Sequence, residues 1–196
     1  SGRVSPGDAL NQGEIASRYG VSATPVREAL RILEADGLVV YLPHKGATVA
    51  DLPRADVKDL YLFRSNIEGL TARLAAERAT SEQLAALRAT HEALKAIAAT
   101  GSPEELSRLN REFHLSVMAA GSPFIATHVM RPVWERVIPP RESLWRDQAK
   151  VQAFVNAHEK IIDAVASRDA NLAEQRVRQH ISEAGSLRDA RPEVEQ

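Results

Sequence analysis

The chain has 196 residues, of which 44% are apolar and 26% charged, enough to bury a real core and stay in solution. With no cysteine, thiolate metal sites, disulfides and cysteine nucleophiles are excluded. A net charge of −1 and the absence of any apolar run near the roughly 18 residues that cross a bilayer argue against a polybasic or membrane protein. Aromatics make up only 5%, while Ala, Leu, Arg and Glu abound, a helical palette. No signal peptide precedes the first helix, so the expected location is the cytosol. The chain opens at Ser1-Gly2 without an initiator Met, as a truncated chain does.

The first fifty residues read as two short helices and a hairpin. Gln12 to Arg18 is helical with Ile15 and Ala16 inward, and Gly20 makes the turn. Ser22 stands at an N-cap position, followed by a helix from Ala23 to Ala35. Its apolar residues Val26, Ala29, Leu30 and Leu33 fall at i, i+3, i+4 and i+7. Pro25 is tolerated in the first turn, and Asp36-Gly37 ends the helix. Strands from Leu38 to Leu42 and Ala47 to Ala50 flank Pro43-His44-Lys45-Gly46 as a four-residue turn. Two helices, a tight glycine turn and a hairpin make a winged helix-turn-helix over residues 1–51. Five basic residues there (Arg3, Arg18, Arg27, Arg31, Lys45) face six acidic ones (Asp8, Glu14, Glu28, Glu34, Asp36, Asp51), so charge alone leaves no nucleic-acid footprint.

Leu52-Pro53 marks a boundary, and residues 54–188 read as an antiparallel bundle of about six helices. They are expected at 54–79, 81–100, 103–120, 123–137, 146–168 and 170–187, with a charged tail over 189–196. Thr80 with Gln83 and Ser102 with Glu105 are capping boxes, and Ser122-Pro123 repeats the start signal. Pro139-Pro140 forces a break. The fold class is therefore mainly α.

Of six histidines, three ride on apolar stripes. His114 shares its face with Leu106, Asn110, Val117 and Met118. His158 lies with Ile161, Ile162 and Val165, and His180 with Ala173, Val177, Ala184 and Leu187. A buried imidazole needs partners for both ring nitrogens. Either these are three separately satisfied core histidines, or one divalent cation is shared by Asn110, His114, His158 and His180. Neutral nitrogens with an amide oxygen suit zinc first, with nickel or another ion possible. His91, beside Glu92 and Lys95, reads as solvated, and His128 has no partner in the sequence.

The run Gly20-Val21-Ser22-Ala23-Thr24-Pro25-Val26-Arg27-Glu28-Ala29-Leu30-Arg31, then Leu33-Glu34-Ala35-Asp36-Gly37-Leu38-Val39 and Gly46-Ala47-Thr48-Val49, resembles the GntR family of bacterial regulators. Asn110-Arg111-Glu112-Phe113-His114, Ala157-His158-Glu159-Lys160-Ile161-Ile162-Asp163-Ala164 and Arg178-Gln179-His180-Ile181 are similar to the FCD effector domain of the FadR subfamily. The likeness runs from about Ser5 to Leu187. It implies DNA contacts at Ser22, Thr24, Arg27 and Arg31, with wing residues His44, Lys45 and Gly46 along the groove or backbone. For Ser22 helix capping stands beside DNA contact, and for Arg31 a solvated face does. The same likeness implies a metal on Asn110, His114, His158 and His180 with a small carboxylate effector completing its shell. Arg64 and Glu68 match an R-x-x-x-E pattern, in which Arg64 grips that carboxylate or pairs with Glu68. Three departures are visible: Ala23 where the family usually has Arg, Gly13 where a polar residue can stand, and Asn110 in place of Asp. The family's first winged-helix element, upstream of Ser5, is mostly missing. The function implied is a homodimeric repressor on a palindromic double-stranded operator. A metal-dependent enzyme with an added helix-turn-helix, or an interaction module with structural zinc, would use the same histidines.

Overall fold

A computed structural model of the chain describes residue 4 and residues 7–50, 54–136 and 142–189. Packing divides it into two compact units near residue 52. The expected boundary at Leu52-Pro53, the break at Pro139-Pro140 and all of the tail beyond residue 189 lie outside the described residues.

In the smaller unit, α1 (Gln12–Tyr19) starts under Asn11, whose side chain accepts from the N–H groups of Gly13 and Glu14. It ends at Gly20, whose φ of 66° is the left-handed conformation glycine adopts without strain. Helix α2 (Ala23–Ala35) buries Val26 and Leu30 but leaves Ala29 and Leu33 at the surface. The inward stripe is thus narrower than its apolar spacing predicts, because a helix of eight residues and a short hairpin cover only a strip of α2. Strands β1 (Val39–Leu42) and β2 (Gly46–Val49) pair antiparallel, with Leu42 opposite Gly46. The connection is therefore three residues, Pro43 to Lys45, rather than four. His44 and Gly46 both take positive φ (66° and 69°), and Gly46 opens β2 instead of closing the turn.

The wing has a third edge that the sequence does not announce. Gly7 donates to the Val49 carbonyl (2.9 Å), Val49 to Asp8 (2.9 Å), and Leu10 to Ala47 (2.7 Å). Ala16, Val26, Leu30, Val39 and Ala47 form the core of this unit, with Leu10 and Ile15 against them.

The described residues of the larger unit form helices joined by short turns, with no strand among them. Helices α3 (Arg54–Arg78), α4 (Ser81–Ile97) and α5 (Pro103–Gly121) come first. A wide π-helical segment, Ile125–Met130, then leads into α6 (Arg131–Arg136). A short α7 (Glu142–Trp145) precedes α8 (Gln148–Ala166) and α9 (Ala170–Asp189). Both capping boxes form, at Thr80 and at Ser102. Asp147 caps α8 by accepting from Ala149 and Lys150, which starts that helix two residues later than the sequence suggests. Ala72, Ala75, Ala76, Phe113, Val117, Ile161, Val165, Val177 and Ile181 make the main core, where α3, α5, α8 and α9 meet. The alanine run on α3 keeps helix axes close, and this brings side chains from those helices to one interior point. No described helix is long and apolar enough to cross a membrane.

Candidate functional site

Three of the predicted ligands meet in the interior of the helical unit. His114 on α5, His158 on α8 and His180 on α9 are all buried, and each offers a nitrogen within 4.8 Å of the others. His180 Nε2 lies 3.3 Å from His158 Nε2 and 3.3 Å from His114 Nε2. Three facing imidazole nitrogens cannot all be satisfied by one another, because His180 Nε2 carries at most one proton. Four ligands at zinc–nitrogen distances of about 2.0–2.1 Å stand about 3.3–3.4 Å apart along a tetrahedron's edges. The residues therefore fit a divalent cation. Asn110 stands half-buried one turn before His114 on the same helix.

Packing fixes the rings. His114 stacks on His180 (centroids 5.1 Å, 14° between planes), and His158 stacks on Phe113 (3.8 Å, 13°). Phe154 closes the edge of His180 at 5.6 Å. Burial, reinforced by the neighbouring imidazoles, drives His158 well below its ordinary range. Burial and then His114 take His180 down to about 3. Both stay neutral at pH 7, with lone pairs available to a cation.

The site extends to α3. Arg64 and Glu68 are both buried, with Arg64 Nε 2.7 Å from Glu68 Oε1. Glu68 Oε2 lies 3.0 Å from His114 Nδ1. The contact is close enough for strong attraction, yet the ring N–H is not well aligned, so Oε2 lacks a directed hydrogen bond. Burial pushes the Glu68 carboxyl up, but Arg64 and His114 outweigh it and hold it at about 2. The Arg64 guanidinium sits over the rings of Trp134 (4.0 Å) and Tyr61 (4.9 Å). The intrahelical ion pair is thus present, and it engages Nε rather than the terminal nitrogens.

One site neighbour, His91, is missed by reading sequence neighbours instead of helix neighbours, and Glu68 is read there only as a partner of Arg64. His91 is buried, at 2% exposure, not solvated. Leu87, Leu94 and Ala98, at i−4, i+3 and i+7, form its stripe, whereas Glu92 and Lys95 turn outward. Its ring lies 6.0 Å from that of His158; Glu159 Oε1 stands 3.6 Å from its Nε2, just beyond hydrogen-bond reach, and neither nitrogen makes a hydrogen bond. Glu68 lies on the face of Tyr61, Ala72 and Ala75, a period that marks it as inward. Trp134 Nε1 and His158 Nδ1 are also buried without partners. Such buried polar atoms without partners call for an explanation, of which a bound ion or ligand is one. His128 is exposed beside Phe124.

In the winged unit, Ser22, Thr24, Arg27 and Arg31 lie exposed at the start and along the outer face of α2. The Ser22 side chain makes no capping bond, which leaves its hydroxyl available. Arg31 Nη1 reaches Glu28 at 3.3 Å and Arg27 Nε approaches it at 3.9 Å, exposed pairs that hold little energy. His44, Lys45 and Gly46 are exposed at the wing tip.

A helix-turn-helix with a wing, followed by a helical domain with a buried histidine triad, defines a DNA-binding transcription regulator. The sequence pattern described as "Bacterial regulatory proteins, gntR family" matches residues 1–49 and that of the FCD domain matches residues 59–183; the chain belongs to the GntR family of regulators and carries an FCD domain. It is 27% identical over 183 residues to the HTH-type transcriptional regulator YdhC of Bacillus subtilis, covering 93% of this chain and 82% of that protein. A probable D-xylose utilization operon transcriptional repressor of Paenarthrobacter nicotinovorans is 30% identical over 181 residues, covering 92% of this chain and 79% of the other. The solved structure of McbR/YncC from E. coli superposes with a TM-score of 0.78 over 95% of this chain and 89% of that one, at 23% identity, a likeness of fold. These relatives are transcription regulators, not enzymes.

Proposed function

We propose that this regulator is a homodimeric repressor that acts on a palindromic operator in the cytosol, and that a small carboxylate metabolite bound beside a divalent metal alters its hold on DNA. The observation that carries the reading is the meeting of His114, His158 and His180 at one buried point. Asn110, His114, His158 and His180 hold the metal, with zinc the first choice for three neutral nitrogens and an amide oxygen. When bound, the ion supplies positive charge that anchors an anion in a dry interior.

Arg64 serves the same anion. Its Nε is committed to Glu68 and its plane is held by Trp134 and Tyr61, so the terminal nitrogens keep a fixed orientation for a carboxylate. Asn110 adds no charge, so the site stays more positive than one with aspartate and favours an anionic ligand.

On DNA, the α2 N-terminus with Ser22 and Thr24 meets phosphate, Arg27 reaches a base edge or phosphate, and Arg31 and the wing residues His44, Lys45 and Gly46 grip the backbone. The Paenarthrobacter relative, a probable transcriptional repressor, supports the sign of regulation. A mobility-shift titration against the DNA upstream of its own gene tests the whole reading. Sequence-dependent retardation, relieved by a carboxylate that also raises the melting temperature only without chelator, is the expected result. Equal binding to scrambled DNA would end it.

A further inference from the structure

We propose that Glu68 is a positioning residue for the metal site: held by Arg64, its carboxylate fixes His114 with the proton on Nδ1 and the Nε2 lone pair turned toward His158 and His180. This rests on the reading that the histidine triad holds a divalent cation.

A neutral imidazole has one N–H and one lone pair, and which nitrogen carries the proton is set by what stands beside it. Glu68 Oε2 lies 3.0 Å from His114 Nδ1, so close that, even off the ideal hydrogen-bond line, a proton on Nδ1 is attracted and a lone pair there repelled. The proton therefore belongs on Nδ1, and Nε2 is left as the acceptor that a cation requires. The ring has little freedom to do otherwise, stacked on His180 and lying 5.6 Å from Trp134.

The cost of the arrangement argues for the same role. Glu68 is 1% exposed and Arg64 2% exposed, so both charges are fully taken out of water. A buried ion pair of this kind is generally no more stabilising than well-packed apolar side chains of equal volume. Arg64 Nε at 2.7 Å neutralises the carboxylate and aims its second oxygen at His114. Stability alone does not call for that second contact, whereas ligand orientation does. His158 gives the contrast within the triad, since its Nδ1 is buried with no partner.

Glu68→Gln separates this role from a structural one. The amide oxygen can still accept from Arg64, but the amide nitrogen then faces His114 Nδ1 and favours the opposite tautomer, with the proton on Nε2. Zinc and cobalt affinities, measured by competition with a chromophoric chelator on the full chain, are expected to fall about 10–100-fold. Nitrogen-15 spectra of the metal-free wild-type protein should place the His114 proton on Nδ1, a readout that does not depend on the variant folding. A folded Glu68→Gln chain with wild-type metal affinity, or a wild-type His114 protonated on Nε2, overturns the inference. Absence of metal binding by the wild-type chain would instead overturn the reading on which it rests.

Discussion

His158 and His180 turn their Nε2 atoms to within 3.3 Å of each other across a helical hairpin whose turn, residues 167–169, centres on Arg168. The turn is set by Arg168, which takes a φ of 63° and sends its guanidinium to the carbonyls of Ala76 and Ala79 at the end of α3. Antiparallel helices joined there bring positions at similar distances from the turn near one another, and 158 and 180 stand ten and twelve residues from 168. The same contact that ends α3 thus fixes the register of the two imidazoles.

That register gives the first expectation. Metal added to the apo protein should bind one ion per chain and raise its melting temperature. At a free concentration of 100 times Kd the stabilisation is about 2.7 kcal/mol, or roughly 5–10 °C for a chain of this size. His180→Ala removes the proposed ligand at the centre of the triad, so its loss should exceed the roughly 10–100-fold typical of outer partners. Calorimetry with zinc, and melting with and without chelator, measure both effects. A His180→Ala chain that keeps wild-type affinity would show that the three nitrogens do not act together.

His91 carries the opposite expectation for the metal-free protein. Neither nitrogen makes a hydrogen bond, Glu159 Oε1 standing 3.6 Å from Nε2, and Leu87, Leu94 and Phe113 lie about it. Such an unpaired group costs about 1–3 kcal/mol. His91→Leu keeps similar volume and removes the polar atoms, so the apo protein should gain about 1–2 kcal/mol. Urea midpoints at unchanged slope would report the gain, and a loss of stability would mean that the imidazole is satisfied in solution.

How far the sequence revealed these features depended on whether their cause was local. Thr80-Gln83 and Ser102-Glu105 announce helix starts because a capping box closes within four residues. His114, His158 and His180 were legible as inward by the apolar residues three and four positions away. His91 and Glu68 obey the same rule, but adjacent charges in one case and a ready intrahelical partner in the other obscured it. The strand-like edge from Gly7 to Leu10 has no alternation of its own and exists through its pairing with β2 some forty residues on, a long-range cause. The π-helical widening at Ile125–Met130 likewise has no marker in its side chains.

Gly121 supplies a prediction about packing. At the end of α5 it lies against the backbone of α3, where a Cβ would stand 2.0 Å from the Thr71 carbonyl oxygen and 2.8 Å from the Ala75 nitrogen. Neither atom belongs to a flexible side chain, so relief requires the helices to part. Gly121→Ala should destabilise the helical domain by about 3 kcal/mol, the upper end for overpacking, despite alanine's better helix propensity. Denaturant unfolding measures this directly. An alanine chain of equal stability would mean that α3 and α5 cross farther apart than described.

The residues proposed to face DNA separate into two kinds with different signatures. Arg27 projects from the outer face of α2, where a recognition helix reads base edges, and its nearest charge is Glu28 at 3.9 Å. Arg27→Ala should therefore cost about 1–3 kcal/mol on the operator and relax discrimination at one base pair. Lys45 sits exposed at the wing tip beside His44, where it is proposed to grip the backbone. Lys45→Ala should weaken operator and scrambled DNA alike and lower the salt slope by about one ion. Binding isotherms from low to moderate salt on both DNAs resolve the two cases. If Arg27→Ala weakens both DNAs equally, α2 is anchored on phosphate and sequence is read elsewhere.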